Sequence, residues 1–419
     1  MSSVSIAENL HVHRLPNGMV LLGEPMPWLR TAACSILVPA GTCHEPEGKQ
    51  GLAGATIEMV ERGCGELGSR EFLEALDEVG AETHTSVMTT HCDLSAVMPR
   101  DGLARALELL ATAIRRPHLP AEQFEDVRQL CWQELRAMED DPSNRCFSEL
   151  KRFRFPSPYG RVAQGNRQSI EGLQYADVGD FYRAHFRPDQ TVVSVAGDFD
   201  WPQVREQFEA LFGDWQGEPR DELPEVQVVY GSRHFDYASS QTHLALAYDC
   251  PAYGAPDYYQ GRALVGILSD GMSSRLFTEV RERRGLVYSV FATCFSIRRS
   301  GSVLCYAGTM AEHAEETLAV VLETIDSLAQ GVTEDELHRL KVRVKASLVF
   351  EQESCLARCR QIANDWYVLG RVPPREEVWE QIEQLTAEGL HRHFLEHRPR
   401  RFTLVSVGSQ PVELAHGID

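Results

Sequence analysis

The chain has 419 residues, 43% hydrophobic and 24% charged, with a net charge of −20 and 31 glycines scattered along it. That composition is globular, and the length exceeds what one ordinary core accommodates, so more than one domain is expected. The acid excess argues against nucleic acid or an anionic membrane surface as partner, because phosphate binding draws on surplus Lys and Arg, and no apolar run approaches the roughly 18 residues of a membrane helix.

In chain order, periodicity and breaker residues predict strands over 20–23 and 33–39, then helices over 52–62 and 69–79. A strand over 93–98 follows, with helices over 103–115 and 120–138, a closing strand over 191–197 and a helix over 202–212. The remainder reads as a strand over 242–248, a helix over 259–268 and a short amphipathic helix over 276–284 stopped by Gly285. Strands over 287–295 and 302–309, helices over 314–330, 333–350 and 360–369, and a strand over 402–407 complete it. Strands mixed with helix pairs indicate an α+β fold with helices covering one face of each sheet.

Three motifs recur at an offset of 212 residues or close to it. Ile170-Glu171-x-Leu173 returns as Ile382-Glu383-x-Leu385, and Val193-Ser194-Val195 as Val405-Ser406-Val407. His185-Phe186 with Arg187-Pro188 returns, less compactly, as His393-Phe394 through Arg398-Pro399. The repeat implies two similar halves. A polar, proline-punctuated joint at 216–228 divides the chain into domains over 1–215 and 229–419. The 11 cysteines form no C-x-x-C spacing and read as small buried hydrophobes in a reducing compartment. With residues 1–13 offering neither a basic nor an apolar leader region, a cytoplasmic location is expected.

The run Gly51 to Met59 reads GLAGATIEM, Glu134 stands 76 positions beyond Glu58, and Val280 to Ser289 reads VRERRGLVYS. With LPNGM (15–19) and PEGKQGLA (46–53), these segments resemble the pitrilysin/insulinase (M16) family of zinc peptidases over nearly the whole chain. The resemblance implies that family's duplicated fold, two homologous α/β-layered domains forming one half of a clam-shell. In the family the residues after GLA read HxxEH, and a glutamate some seventy-odd residues later completes the zinc site. Here the first histidine position is Gly54, the general-base position Ile57 and the second histidine position Glu58, with Glu134 alone matching.

A catalytic zinc takes about three protein ligands plus a water whose pKa it lowers to about 7. Gly54 has no donor and Ile57 cannot accept a proton, so this chain is expected to bind no metal or other cofactor. Glu134 falls on the stripe of Phe124, Val127, Cys131 and Met138, and a buried carboxylate there calls for an arginine or backbone donors; Arg62 is placed to pair with Glu58 at i+4. The supporting residues differ too: an edge strand carries Thr83-His84-Thr85, with His84 a candidate peptide contact, and Thr90 takes the place of an acidic support. Metal sites using His84, His91 or Cys92 lack the paired short spacings of zinc ligands.

Arg281 and Tyr288, seven residues apart across the bend at Gly285, are placed to bind a peptide carbonyl or an oxyanion. The plainer alternative is that Arg281, Arg283 and Arg284 simply favour a helix C-terminus. The resemblance implies that Arg281 and Tyr288 match a pair serving the active site from the half opposite the zinc. In two-chain members, one subunit carries HxxEH and its partner the Arg and Tyr. The expectation is therefore a non-catalytic, substrate-binding subunit of a heterodimer, with zinc in an HxxEH-bearing partner and no activity alone. Alternatives are an inert scaffold like the core proteins of respiratory complexes, or an enzyme with a rebuilt metal site. The glycine-rich loop of the non-catalytic subunit of the mitochondrial processing peptidase is replaced by Gly271-Met272-Ser273-Ser274-Arg275, which argues against equivalence to that subunit.

Overall fold

The structure is a computed structural model that describes residues 10–414. Residues 1–9 of the stretch read for a leader lie outside the described residues. The first half runs β1 (His11–Arg14), β2 (Val20–Pro25), β3 (Thr31–Val38), α1 (Leu52–Val60), the small clip β4 (Gly63–Cys64) and β5 (Leu67–Gly68), and α2 (Ser69–Glu78). It continues with β6 (Glu82–Val87), β7 (Cys92–Pro99), α3 (Leu103–Arg115), α4 (Phe124–Asp140) and α5 (Pro142–Arg154). α6 (Arg167–Gly172), α7 (Tyr175–His185), β8 (Val192–Gly197) and α8 (Trp201–Phe212) close it. The second half runs β9 (Gly231–Asp236), β10 (Gln241–Cys250), α9 (Tyr258–Ser269), a π-helical turn (Phe277–Arg283), β11 (Val287–Ile297) and β12 (Ser300–Met310). Helices α10 (Ala314–Asp326), α11 (Glu334–Phe350), α12 (Cys355–Leu369), α13 (Arg375–Glu383) and α14 (Ala387–Glu396) lead to β13 (Thr403–Gly408).

Each half contributes one sheet, and the two share a plan. The first sheet has the order β1-β2-β8-β3-β7-β6, the second β11-β12-β10-β13-β9. In each, the closing strand lies inside the sheet, parallel to one neighbour (β2 or β9) and antiparallel to the other (β3 or β10). β8 and β13 are buried along their whole length, so the Val-Ser-Val repeat marks equivalent central strands. The α+β duplicated fold expected from the sequence is what the chain adopts.

The compact units do not follow the contiguous domains 1–215 and 229–419. One unit takes the chain up to Leu135, Arg161–Leu223 and Ser347–Arg375; the other takes Arg136–Gly160, Pro224–Ala346 and the chain from Glu376 onward. The expected joint contains one crossing, after Leu223, and four more follow Leu135, Gly160, Ala346 and Arg375. The halves have exchanged helices. α12, from the second half, lays Ile362 and Ala363 on Val20, Leu22, Leu37 and Val192, and Cys355 and Cys359 on Met26, Ala33 and Ala196 of the first sheet. α5, from the first half, lays Cys146 and Leu150 on Ala245, Ala247, Leu304, Val405 and Val407 of the second.

Each exchanged helix is pinned by a buried arginine. Arg358 on α12 donates through Nε to Glu24 Oε2 at 2.7 Å, and Arg375 Nη2 lies 3.1 Å from Glu24 Oε1. Arg154 on α5 is fully buried, pairs with Asp249, and donates to Ser302 Oγ at 3.3 Å and Thr403 Oγ1 at 3.2 Å. These arginines also explain why the sequence pattern failed here. α5 was not expected at all and α12 was expected only from residue 360, because a core position filled by arginine breaks the apolar stripe on which such predictions rest.

Candidate functional site

α1 starts at Gly51, whose φ of 94° is the left-handed region that glycine tolerates. Its first turn is capped from a distance: Glu45 Oε1, on a side chain 3% exposed, accepts from Gly51 N at 2.9 Å and Ala53 N at 3.0 Å. The scaffold that would present a ligand helix is therefore intact. The ligands are not. A Cβ on Gly54 would stand 3.2 Å from the carbonyl oxygen of Ala163, closer than ordinary van der Waals contact, so this glycine also admits a neighbouring backbone. Ile57 is buried in the core.

Glu58 on α1 and Glu134 on α4 do approach, and each keeps a proton more readily than a free carboxylate. Glu58 is raised by burial and by the charge of Glu134, with Arg62 acting against; Glu134 is raised by loss of hydration alone. The anticipated buried face differs in detail: Leu135, not Glu134, continues the stripe of Val127 and Cys131, and Glu134 sits exposed at its rim, where no arginine is needed to hold it. Cys131 behind them is pushed up to about 12 by burial and by both glutamates, so its thiol stays protonated. Glu61 adds a third carboxyl, raised to about 7 by burial and by Glu58, against a hydrogen bond from Thr85 Oγ1 at 3.3 Å and the charge of Arg62. Two or three proton-retaining carboxyls with no imidazole do not fit a catalytic zinc.

This cluster has a measurable signature. The folded state holds a proton on Glu61 that the unfolded chain releases near pH 4.5, so its stability contribution is full below that pH and is lost as pH rises through about 7. Glu61→Gln is expected to be more stable than wild type at pH 8 by on the order of 1–2 kcal/mol and indistinguishable at pH 4.5. Urea unfolding at both pH values measures this; parallel curves for the two proteins would refute it. The difference between the curves belongs to Glu61, since Glu45, Glu58, Asp93 and Glu134 are raised as well.

His84 lies on β6, opposite Ser95 of β7, with Nε2 3.7 Å from Glu82 and its ring partly exposed on the edge strand. It does not gather with His91 or Cys92. Among the described residues the trio whose ligand atoms all lie within 4.8 Å of one another is Asp257, His393 and His397.

The second-half pair is brought together. The chain turns at Gly285 (φ 64°), with Gly285 N bonded to Arg281 O at 3.1 Å and Leu286 N to Val280 O at 3.0 Å. The helix before it is wound as a π-helix, a form frequent at functional sites. β11 then bulges between Val287 and Ser289, so Tyr288 is skipped by the ladder and the residue is 82% exposed. Bulges re-aim side chains in this way. The Arg281 guanidinium sits 4.8 Å from the Phe277 ring centroid and 5.3 Å from that of Tyr288. Arg283 pairs with Glu279 and Arg284 with Glu323, whereas Arg281 has no carboxylate partner among the described residues. A role confined to helix-end electrostatics thus suits Arg283 and Arg284; Arg281 lies within cation–π distance of two rings and makes no ion pair among the described residues. The segment 271–275, by contrast, is tied down: Arg275 forms a two-pronged pair with Glu336 at 2.7 and 2.9 Å.

Residues 24–159 match the family model described as insulinase (peptidase family M16), and residues 172–343 the one described as peptidase M16 inactive domain. The chain belongs to the M16 peptidase family. An M16-like relative, named an uncharacterized zinc protease of Rickettsia bellii, is 26% identical over 91% of this chain and 93% of its own length. A solved peptidase M16 inactive domain from Pseudomonas fluorescens superposes with a TM-score of 0.87 at 21% identity, over 97% of this chain and all of that one. A chain of complex III2 from Candida albicans superposes with a TM-score of 0.81 at 18% identity, over 95% and 96%. These likenesses give the M16 fold. Among the described residues no helix is long and apolar enough to cross a membrane.

Proposed function

We propose that this chain is the non-catalytic, substrate-binding subunit of a heterodimeric M16 zinc peptidase. The observation that carries the reading is the bulge at Tyr288, which leaves an exposed phenol ring 5.3 Å from a guanidinium that has no carboxylate partner among the described residues. Such a pair offers adjacent hydrogen-bond donors of the kind that stabilise a peptide carbonyl or the oxyanion formed from it. The first half supports the same division of labour, since Gly54 and Ile57 supply neither ligand nor base. The nucleophile then comes from a zinc-bound water of a partner M16 chain with intact HxxEH, and His84 on its edge strand is a further peptide contact.

The test is reconstitution. The purified chain alone is expected to cleave no peptide. Mixed with an HxxEH-bearing M16 chain from the same source, it is expected to yield a chelator-sensitive peptidase that neither chain shows alone. Cleavage by this chain alone, or a partner fully active without it, would overturn the reading. Normal function of an Arg281→Ala, Tyr288→Phe double variant in an assembly would instead favour the scaffold role.

A further inference from the structure

Away from the degenerate site, the sequence contains the five letters HFLEH, His393 to His397, at the C-terminal end of α14. They lie far from residues 54–58, the position where the family carries its motif. The fold gives them a setting. Leu390 and Phe394 anchor α14 in the second core, and His393, buried on that face, stands one turn before His397 at the helix end. The two rings stack with centroids 4.3 Å apart.

Opposite them is Asp257, the residue before α9. Its backbone, at φ −104° and ψ 14°, departs from the extended geometry of a capping residue, and its carboxylate makes no capping bond. Asp257 Oδ2 instead lies 3.8 Å from His393 Nδ1 and 3.7 Å from His397 Nε2. His397 Nδ1 is 3.0 Å from the carbonyl oxygen of His393, to which it donates, and that bond leaves Nε2, the nitrogen nearest Asp257, as the ring's available acceptor. Orientation of a ligating histidine by a bond from its other nitrogen is the usual outer support of a metal site.

We propose that Asp257, His393 and His397 form a binding site for a divalent transition metal of the zinc class. A tetrahedral ion with arms of about 2.1 Å spaces its ligand atoms about 3.4 Å apart. The two spacings to Asp257, 3.7 and 3.8 Å, are a few tenths wider, all three ligand atoms lie within 4.8 Å of one another, and rotation of the partly exposed His397 and Asp257 side chains would close the remainder. Two imidazoles and one carboxylate suit zinc over magnesium or calcium, which prefer all-oxygen shells. The ion would tie the start of α9 to the end of α14 and keep a fourth position for water, reachable because His397 and Asp257 are partly exposed. The site is independent of any partner chain and of residues 54–134.

The test is zinc binding by the purified full-length chain, read by competition with a chromophoric chelator, with Co2+ as a spectroscopic probe of tetrahedral coordination. One zinc per chain is expected. His397→Ala and Asp257→Asn, both at partly exposed positions, are each expected to weaken it by about 100-fold or more, beyond the 10–100-fold typical of losing an outer partner. Glu58→Gln with Glu134→Gln is expected to leave it unchanged. No stoichiometric zinc in the wild type, or equal affinity in His397→Ala, would overturn the proposal. The readout needs no peptidase activity, so its failure is separate from failure of the subunit assignment.

Discussion

Arg281→Ala is expected to lower kcat of the reconstituted peptidase by about 100-fold or more while leaving the melting temperature of the chain unchanged. The magnitude is that of removing one preorganised donor from an oxyanion site. The unchanged stability follows from position: Arg281 is exposed, and Val280 and Leu276 beside it carry the packing. Arg281→Lys is expected to recover little, because an ammonium neither stacks between Phe277 and Tyr288 nor offers a planar fork. Tyr288→Phe separates two roles of the tyrosine. If the ring merely steadies the guanidinium, activity persists; if the hydroxyl donates to substrate, kcat falls as for Arg281→Ala. Wild-type turnover by Arg281→Ala would end the active-site assignment whatever Tyr288→Phe does.

Arg358→Met is expected to destabilise the chain by about 3–5 kcal/mol, toward the lower end because Arg375 remains beside Glu24. Glu24 is only 5% exposed, so losing its principal partner leaves a carboxylate in the core with one arm of its clamp gone. The cost comes from that stranded charge more than from the lost attraction. Removing the charge as well, in Arg358→Met with Glu24→Gln, is therefore expected to recover more than half of the loss. Urea unfolding of the single and double variants measures both numbers. A loss below about 0.5 kcal/mol for the single variant, the range of an ordinary surface change, would show that the pair does not hold α12 in place.

The parts of the fold legible in the sequence were those governed by local pattern. The central strands were visible as apolar runs and as the Val-Ser-Val repeat, and the turn at Gly285 was visible from its glycine. The exchange of α5 and α12 was not, because which sheet a helix covers is a long-range matter and the burial of Arg154 and Arg358 disguises their inner faces. At the candidate site, the approach of Arg281 to Tyr288 followed from spacing, but the bulge that exposes the phenol depends on the register against β12. Glu134 was assigned to a buried face because it neighbours that face in the periodicity, and Leu135 takes the place instead. The His393–His397 pattern was in plain letters; what the letters lacked was Asp257, brought opposite by tertiary structure 136 positions earlier in the chain.

The helix exchange has a consequence for biosynthesis. A ribosome delivers the strands of the first sheet early, yet the helix that covers Val20, Leu22 and Val192 emerges only from residue 355, after β9 to β12 of the second sheet have been made. Unlike tandem domains that mature one after another as they leave the exit tunnel, this first unit waits with an apolar sheet face uncovered until α12 has been made. A premature stop before codon 355 therefore leaves that face uncovered permanently.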